Sequence, residues 1–469
     1  MLQGPAPLAL DRSLAEQGLE SGATLSYLHV ATDLVAAWGV LRGRGTDGEA
    51  ALLGVTYING LKFLHQLQLL PETLQGLSFS PSFDQSLEKV RLPDLRVLHF
   101  GSLFDQSLRH VKLPSSLKEL SFGRDFNHSL EGVELPETLE ALSLGDRYNE
   151  PLENVQLPEQ LKVLSMSGFN QSLEHVVLPK GLEKLILGDA FNRDLSLLTA
   201  LKLTSLSLGA RFNRRLAVSD VLEELVLGDA FARPLGLPQS LRRLCLGGAF
   251  FRGRSLQEVN LPSKLQELSL QNFNESLERV NLPSLRSLSL GDAFNQELGL
   301  LPSCLETLVL GTCFNRSLRD GLPKSLRSLT LGSGFNQSLM GLPDNLQSLC
   351  LGYSFNRTVD VALPNLRKLK VGYCFNQPLS CLQLPNLGIL ILGVEFNQRL
   401  QGLEWPELQS LSLGRSFNQD LMDVKFPHTL RSLAFGRCFN QALPKLPALK
   451  VLSFGDAFNQ TLHQSVFKV

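Results

Sequence analysis

This sequence is poor in most of what would mark an enzyme, a membrane protein or a secreted disulfide scaffold. Its seven cysteines are an odd number with no Cys-x-x-Cys pair, which argues against a disulfide framework and against a zinc site. Charge of either sign is not in excess: 44 basic against 45 acidic residues leave a net charge of −1, which removes any chain-wide electrostatic case for nucleic acid or an anionic membrane. Uninterrupted apolar runs never reach the length of a membrane span. The start "MLQGPAPLALDRSL" lacks the basic beginning and apolar core of a signal peptide. A soluble protein is expected. The eight histidines, at 29, 65, 99, 110, 128, 175, 428 and 463, are scattered, and no HExxH, GxSxG or P-loop motif accompanies them. The chain is therefore expected to be no enzyme and to hold no cofactor or metal.

What the sequence has in abundance is itself. The stretch "LGDAFNQEL" (290–298) returns as "LGDAFNRDL" at Leu187, "LGSGFNQSL" at Leu331 and "FGDAFNQTL" at Phe454. Aligned on the aromatic residue there are nineteen copies, from Phe83 to Phe458, spaced 19 to 23 residues apart. Each unit reads Leu-Pro-x-x-Leu-x-x-Leu-x-Leu-Gly-x-x-Phe-Asn-x-x-Leu, and 135–157, "LPETLEALSLGDRYNEPLENVQL", shows it complete. Short-period self-similarity of this kind overrides the expectation of two or three globular domains for 469 residues.

The unit translates directly into local structure. Leu-x-x-Leu-x-Leu ends in a period-two alternation, which predicts a short strand with leucines inward. Gly then permits a turn. Pro opens seventeen of the nineteen units and, lacking an N–H, belongs at a corner outside the ladder. A few Leu and one Phe per coil cannot form a core alone, whereas stacked coils bury a continuous column. The Asn that follows Phe in fifteen copies has the side chain to bond backbone groups left unpaired at a bend, so stacked copies predict an asparagine ladder. The expected fold is a β-rich solenoid, a leucine-rich-repeat-like right-handed array of about nineteen coils of 19–23 residues with a parallel sheet.

These units resemble the FNIP repeat of amoebal and other protist proteins, a relative of the leucine-rich repeat. The "GDAF" turns are also similar to bacterial BspA-like leucine-rich repeats. The resemblance covers 70–469 and implies a curved solenoid used for protein contacts, in some members joined to a kinase or F-box segment; neither segment is visible here. Ahead of it, 11–30, "DRSLAEQGLESGATLSYLHV", resembles the C-terminal half of a ubiquitin-like domain, and 31–69 forms a transition with a first degenerate coil. Residues 1–30 are expected to be a partial ubiquitin-like segment or an N-terminal cap.

Several columns of the alignment bear on function. Cys313, Cys374 and Cys438 precede the repeat Phe where other units carry Ala190, Ala230 or Ala293, and are expected to fill a small buried slot. The residue between the last two strand leucines is mainly Ser, as at Ser121, Ser143, Ser269 and Ser412, which predicts a small, flat face without dense anchors. His99 stands in that column and is expected to be a tolerated surface residue. The repeated carboxylates of "GDAF", such as Asp189 and Asp292, supply one acid per turn, too few for calcium.

One column departs from its pattern. Two residues after Phe the usual residue is Gln, yet four consecutive units carry Arg193, Arg214, Arg233 and Arg252. A guanidinium row suits carboxylate or phosphate recognition, which makes these four the candidate partner-binding residues. Asp194, Asp220, Glu223 and Glu224 lie close enough in sequence to neutralise them instead.

The expected function is a non-enzymatic protein–protein interaction scaffold, with an adaptor in ubiquitin-linked pathways as the alternative. The expected partner is a protein, acidic or phosphorylated, with no nucleic acid and no membrane. The chain stops at "FNQTLHQSVFKV", midway through a unit, so either self-association through Leu462 and Val466 or a truncated gene prediction is expected. Seven repeat asparagines, including Asn127, Asn170 and Asn315, begin Asn-x-Ser/Thr sequons. A glycan on a turn-bound Asn would break its ladder, so a cytoplasmic location is expected.

Overall fold

The alternation of buried leucine and outward small residue produces a strand of three or four residues per unit, repeated along the chain. In the computed structural model the first strands are β1 (Tyr27–His29), β2 (Tyr57–Leu61), β3 (Gly76–Phe79), β4 (Val97–His99), β5 (Glu119–Ser121), β6 (Ala141–Leu144), β7 (Val163–Met166), β8 (Lys184–Leu187), β9 (Ser205–Leu208) and β10 (Glu224–Leu227). They are followed by β11 (Arg243–Leu246), β12 (Glu267–Leu270), β13 (Ser287–Leu290), β14 (Thr307–Leu310), β15 (Ser328–Leu331), β16 (Ser348–Leu351), β17 (Lys368–Lys370), β18 (Ile389–Ile391), β19 (Ser410–Ser412), β20 (Ser432–Ala434) and β21 (Val451–Ser453). The structure describes residues 27–29, 57–64, 67, 70 and 74–461, except 253–254, 279, 320, 380–382 and 447. The stretch 11–30, apart from β1, and the residues Leu462 and Val466 lie outside the described residues.

The chain divides into two units, Met1–Ser240 and Leu241–Val469, and each is a parallel β-solenoid. In the first, each strand from β1 to β10 pairs in parallel with the next. In the second, β11 to β21 do the same. Register is strict: Leu142 faces Leu164, which faces Leu185, which faces Leu206. A one-residue slip would turn every leucine to water, so burial itself fixes the register. Among the described residues, helix is confined to short 3₁₀ turns such as Ser196–Ala200 and Gly248–Phe251.

Three sets of contacts close each coil. At the corner before the strand, Pro supplies a carbonyl to a tight turn, as in Leu117 N–H to Pro114 O at 3.1 Å and Leu326 N–H to Pro323 O at 3.1 Å. After the strand, Gly turns the chain and the repeat Phe bonds back to it, as in Phe314 N–H to Gly311 O at 3.3 Å. A Cβ at Gly145 would lie 1.7 Å from Gly123 O, and one at Gly393 would lie 1.5 Å from Gly372 O, so only glycine lets successive coils approach this closely.

The Phe rings form an internal stack. Phe314 sits between Phe294 and Phe335 with centroids 6.0 and 6.1 Å away and planes within 9° of parallel. Phe126 lies likewise between Phe104 and Tyr148, at 6.1 and 5.9 Å. These rings are fully buried, which contributes roughly 1.5–3 kcal/mol each from apolar burial. The asparagine ladder is also present. In the first unit Asn127 Oδ1 accepts from Asn149 N–H at 2.8 Å, Asn149 from Asn170 at 2.8 Å, and Asn170 from Asn192 at 3.0 Å. In the second, it runs from Asn274 to Asn459 through Asn295, Asn315, Asn336, Asn356, Asn376, Asn397, Asn418 and Asn440. Each bond satisfies an amide that the bend would leave without a partner.

Candidate interaction surface

Immediately beyond most ladder Asn residues, one side chain reaches back across the coil boundary. Where that residue is Gln, its amide donates to the preceding coil's Asn, either at the backbone carbonyl, as in Gln171 Nε2 to Asn149 O and Gln398 Nε2 to Asn376 O, both at 3.0 Å, or at Oδ1, as in Gln377 Nε2 to Asn356 Oδ1 at 3.1 Å. Three of the candidate arginines take over this bond through Nε: Arg193 to Asn170 O at 2.8 Å, Arg214 to Asn192 O at 3.2 Å and Arg233 to Asn213 O at 3.3 Å. The tether through Nε does not use the two Nη groups of Arg193 or Arg214, and all three arginines are exposed.

The row is thus held by the fold. Arg193, Arg214 and Arg233 belong to successive coils of the first unit, which the strand spacing sets at about 4.8 Å apart. Arg252 belongs to the second unit, at the end of the 3₁₀ turn Gly248–Phe251, where its N–H donates to Ala249 O at 3.2 Å. The ladder is interrupted here: Ala232 receives the last bond of the first unit, its N–H meeting Asn213 Oδ1 at 3.1 Å. Phe251 replaces Asn with a buried ring set edge-on to Phe250 and Phe273.

Of the nearby acids, Asp194 is held below the usual carboxylate range chiefly by Ser196, through its hydroxyl and an N–H at 3.2 Å, with a smaller contribution from the Arg214 charge. Arg316 and Arg357 occupy the same column and make the same bond, to Asn295 O at 2.9 Å and Asn336 O at 3.2 Å. They were passed over because each stands alone between glutamines, although their position two residues after Phe was the available signal.

The cysteine expectation is corrected. Cys313 and Cys438 are exposed and Cys374 is half-buried. The residue before an inward Phe faces outward, and its backbone, not its side chain, makes the inter-coil contact, as in Cys313 N–H to Asp292 O at 2.9 Å. Burial and then the nearby Glu395 hold the Cys374 thiol above its usual range, which disfavours the reactive thiolate. His99 is half-buried on the outward face of β4. Its Nδ1 meets Ser121 Oγ and its Nε2 lies 3.8 Å from Glu119, and burial lowers its pKa against the opposing pull of that carboxylate. No cluster of three or more metal-ligating side chains occurs among the described residues, and no described helix is long and apolar enough to cross a membrane.

Comparison with known proteins agrees with this architecture. The FNIP Repeat family model matches residues 83–125, 126–168, 169–197 and 294–334, and the model for the BspA type leucine-rich repeat region matches 236–298. Among solved structures, CroV588, described as a novel circular leucine-rich-repeat protein, is 31% identical over 88% of this chain and 71% of its own, with a TM-score of 0.54. YopM from Yersinia enterocolitica is 19% identical over 83% of this chain and 87% of its own, with a TM-score of 0.36. The Drosophila Toll–Spatzle complex matches at 15% identity over 92% of this chain and 64% of its own, with a TM-score of 0.31. No curated protein sequence matches this chain. The chain belongs to the leucine-rich-repeat family, with FNIP repeats among its units.

Proposed function

We propose that this protein is a non-enzymatic scaffold for protein–protein contacts, and that Arg193, Arg214 and Arg233 recognise an acidic or phosphorylated partner, with Arg252 offering a further cation in the second unit. The observation that carries this is the tethering of three successive arginines through Nε, which orders their side chains before any partner arrives. Pre-ordered guanidinium groups lose less freedom on binding and suit bidentate contact with carboxylate or phosphate. A phosphopeptide array probed with the full chain is the test. Charge reversal at Arg214 and Arg233 is expected to weaken capture of phosphorylated and acid-rich peptides, and unchanged capture would remove the assignment.

A cytoplasmic location forms part of the same proposal. The sequon residues Asn170 and Asn315 use their side-chain oxygens to hold the next coil's N–H, at 3.0 and 2.9 Å. Glycan attachment at such an Asn would compete with the ladder. The intact mass of the protein isolated from its native cells is expected to carry no N-linked glycan.

A further inference from the structure

Over β16, β17 and β18 the outward side of the sheet abandons its small, flat pattern. Elsewhere in the second unit the outward pairs are residues such as Ser287 and Ser289, Ser328 and Thr330, or Ser410 and Ser412. On β17 they are Lys368 and Lys370, both exposed. In register beside them stand Ser348 and Cys350 on β16, and Ile389 and Ile391 on β18, with Ile389 39% exposed.

Both ends of this patch are modified as well. Past the C-terminal end of the strands, Tyr353 and Tyr373 occupy the position held by Asp292, Thr312 or Ser333 in earlier coils. Their rings stack at 4.7 Å with planes 16° apart, and they remain 52% and 37% exposed. At the N-terminal end, a column of long polar side chains (Arg327, Gln347, Arg367, Gln409, Arg431) is broken by Gly388. The backbone does not require glycine there: an added Cβ would meet only Arg367 O at 3.6 Å, an ordinary contact, and φ is not in the left-handed region. Beside the glycine lies an open hollow of about 450 Å³ between Arg367, Asn365, Asn386, Ile389, Glu407 and Gln409, larger than the one of about 300 Å³ where Arg327 and Gln347 hold the column.

The electrostatics select the occupant. Among the described residues the side chains of Arg367, Lys368 and Lys370 form no ion pair, so three cations stand against Glu407 in the hollow and Glu395 at the tyrosine end. Outward residues two apart on a strand are spaced about 6.5–7 Å, the same spacing as alternate side chains of an extended chain. Exposed tyrosines and a hollow beside an exposed Ile supply the anchors that cations alone lack. A nucleic-acid backbone would meet the two flanking carboxylates with like charge, whereas a peptide need place acids only at alternate positions.

We propose that this face is the docking site for an extended acidic segment of a protein partner. Lys368 and Lys370 take its alternate carboxylates, one bulky side chain fills the hollow over Gly388, and the Tyr353–Tyr373 stack covers its other end. The proposal rests on the scaffold function but is independent of the arginine row.

Fluorescence anisotropy of the full chain with a labelled decapeptide, alternating Glu and Ser around one Leu, tests it. Binding is expected to fall about tenfold in K368E/K370E and about threefold in G388Q, which fills the hollow without charge. Thermal unfolding of each variant monitors folding, and K368A/K370A replaces the reversal if that variant does not fold. No binding by the wild type, equal binding in the lysine variants, or equal binding of a Lys-for-Glu peptide or a single-stranded DNA of the same length would overturn it. Loss in R214E/R233E alone would return the acidic partner to the arginine row.

Discussion

In the first unit, charges on the outward side of the sheet neutralise one another: Glu140 accepts from Lys118 at 2.7 Å on one side and from Lys162 at 3.1 Å on the other. In the second unit Arg286 and Glu306 pair in the same way at 2.8 Å, but Arg367, Lys368 and Lys370 do not. Behind these different faces the interior is alike in both units, with a stacked Phe and a bonded Asn at most bends. The difference teaches which columns the repeat constrains. A residue that contacts the next coil must suit the same neighbour every time, so Phe, Asn and Gly recur. A residue that contacts water has no such neighbour and is free to acquire a partner.

The largest effects should come from the shared interior. Phe126→Ala in the first unit and Phe314→Ala in the second remove equally buried rings from equivalent stacks, and each is expected to cost about 3–5 kcal/mol. Chemical denaturation that showed one unit tolerating the change would break the claim of a common interior. A smaller, again matched, loss of about 0.5–1.5 kcal/mol is expected for Asn170→Ala and Asn315→Ala, since each deprives one backbone N–H of its acceptor. Hydrogen exchange at Asn192 and Asn336 should speed up in the respective variants.

The outward face should respond to pH instead. His99 has its pKa lowered in the folded state by burial, so the unfolded chain takes up the proton more readily. Stability is therefore present above the unfolded value of about 6.5 and lost as pH falls through it toward the folded pKa. Thermal unfolding of the wild type should fall relative to His99→Ser over that interval and match its trend above it. The smallest effect is expected for Glu140→Gln. Hydrogen bonds from Lys118 and Lys162 lower the Glu140 pKa, so its contribution is present above the ordinary glutamate range and disappears as pH falls through the lowered value. Its half-exposed position and flexible lysine partners keep it slight. Wild type and variant should converge at acid pH, and added salt should narrow their difference at neutral pH.

Much of the fold was legible because each coil repeats the same statement. Strand, corner, aromatic column and asparagine ladder all follow from residue types at fixed offsets. The cysteine slot was misjudged because identity was weighed without parity: Cys313 precedes an inward Phe and must face out. The arginines were legible as a row, but their tether was not, since the carbonyl that Arg214 contacts belongs to Asn192, 22 residues earlier. Tyr353, Tyr373 and Gly388 escaped for a different reason. Each looks ordinary within its own unit, and only lateral register brings two tyrosines together or sets a missing side chain beside a hollow.

The glycine column has a consequence for how this chain tolerates change in length. Because Gly311 meets Gly291 through the same backbone approach that Gly332 makes to Gly311, the segment between two such glycines is a removable module with matching ends. Excising residues 312–332 would set Ser333 directly after Gly311 and restore an equivalent junction, whereas deleting a handful of residues from inside a coil would leave no neighbour in step.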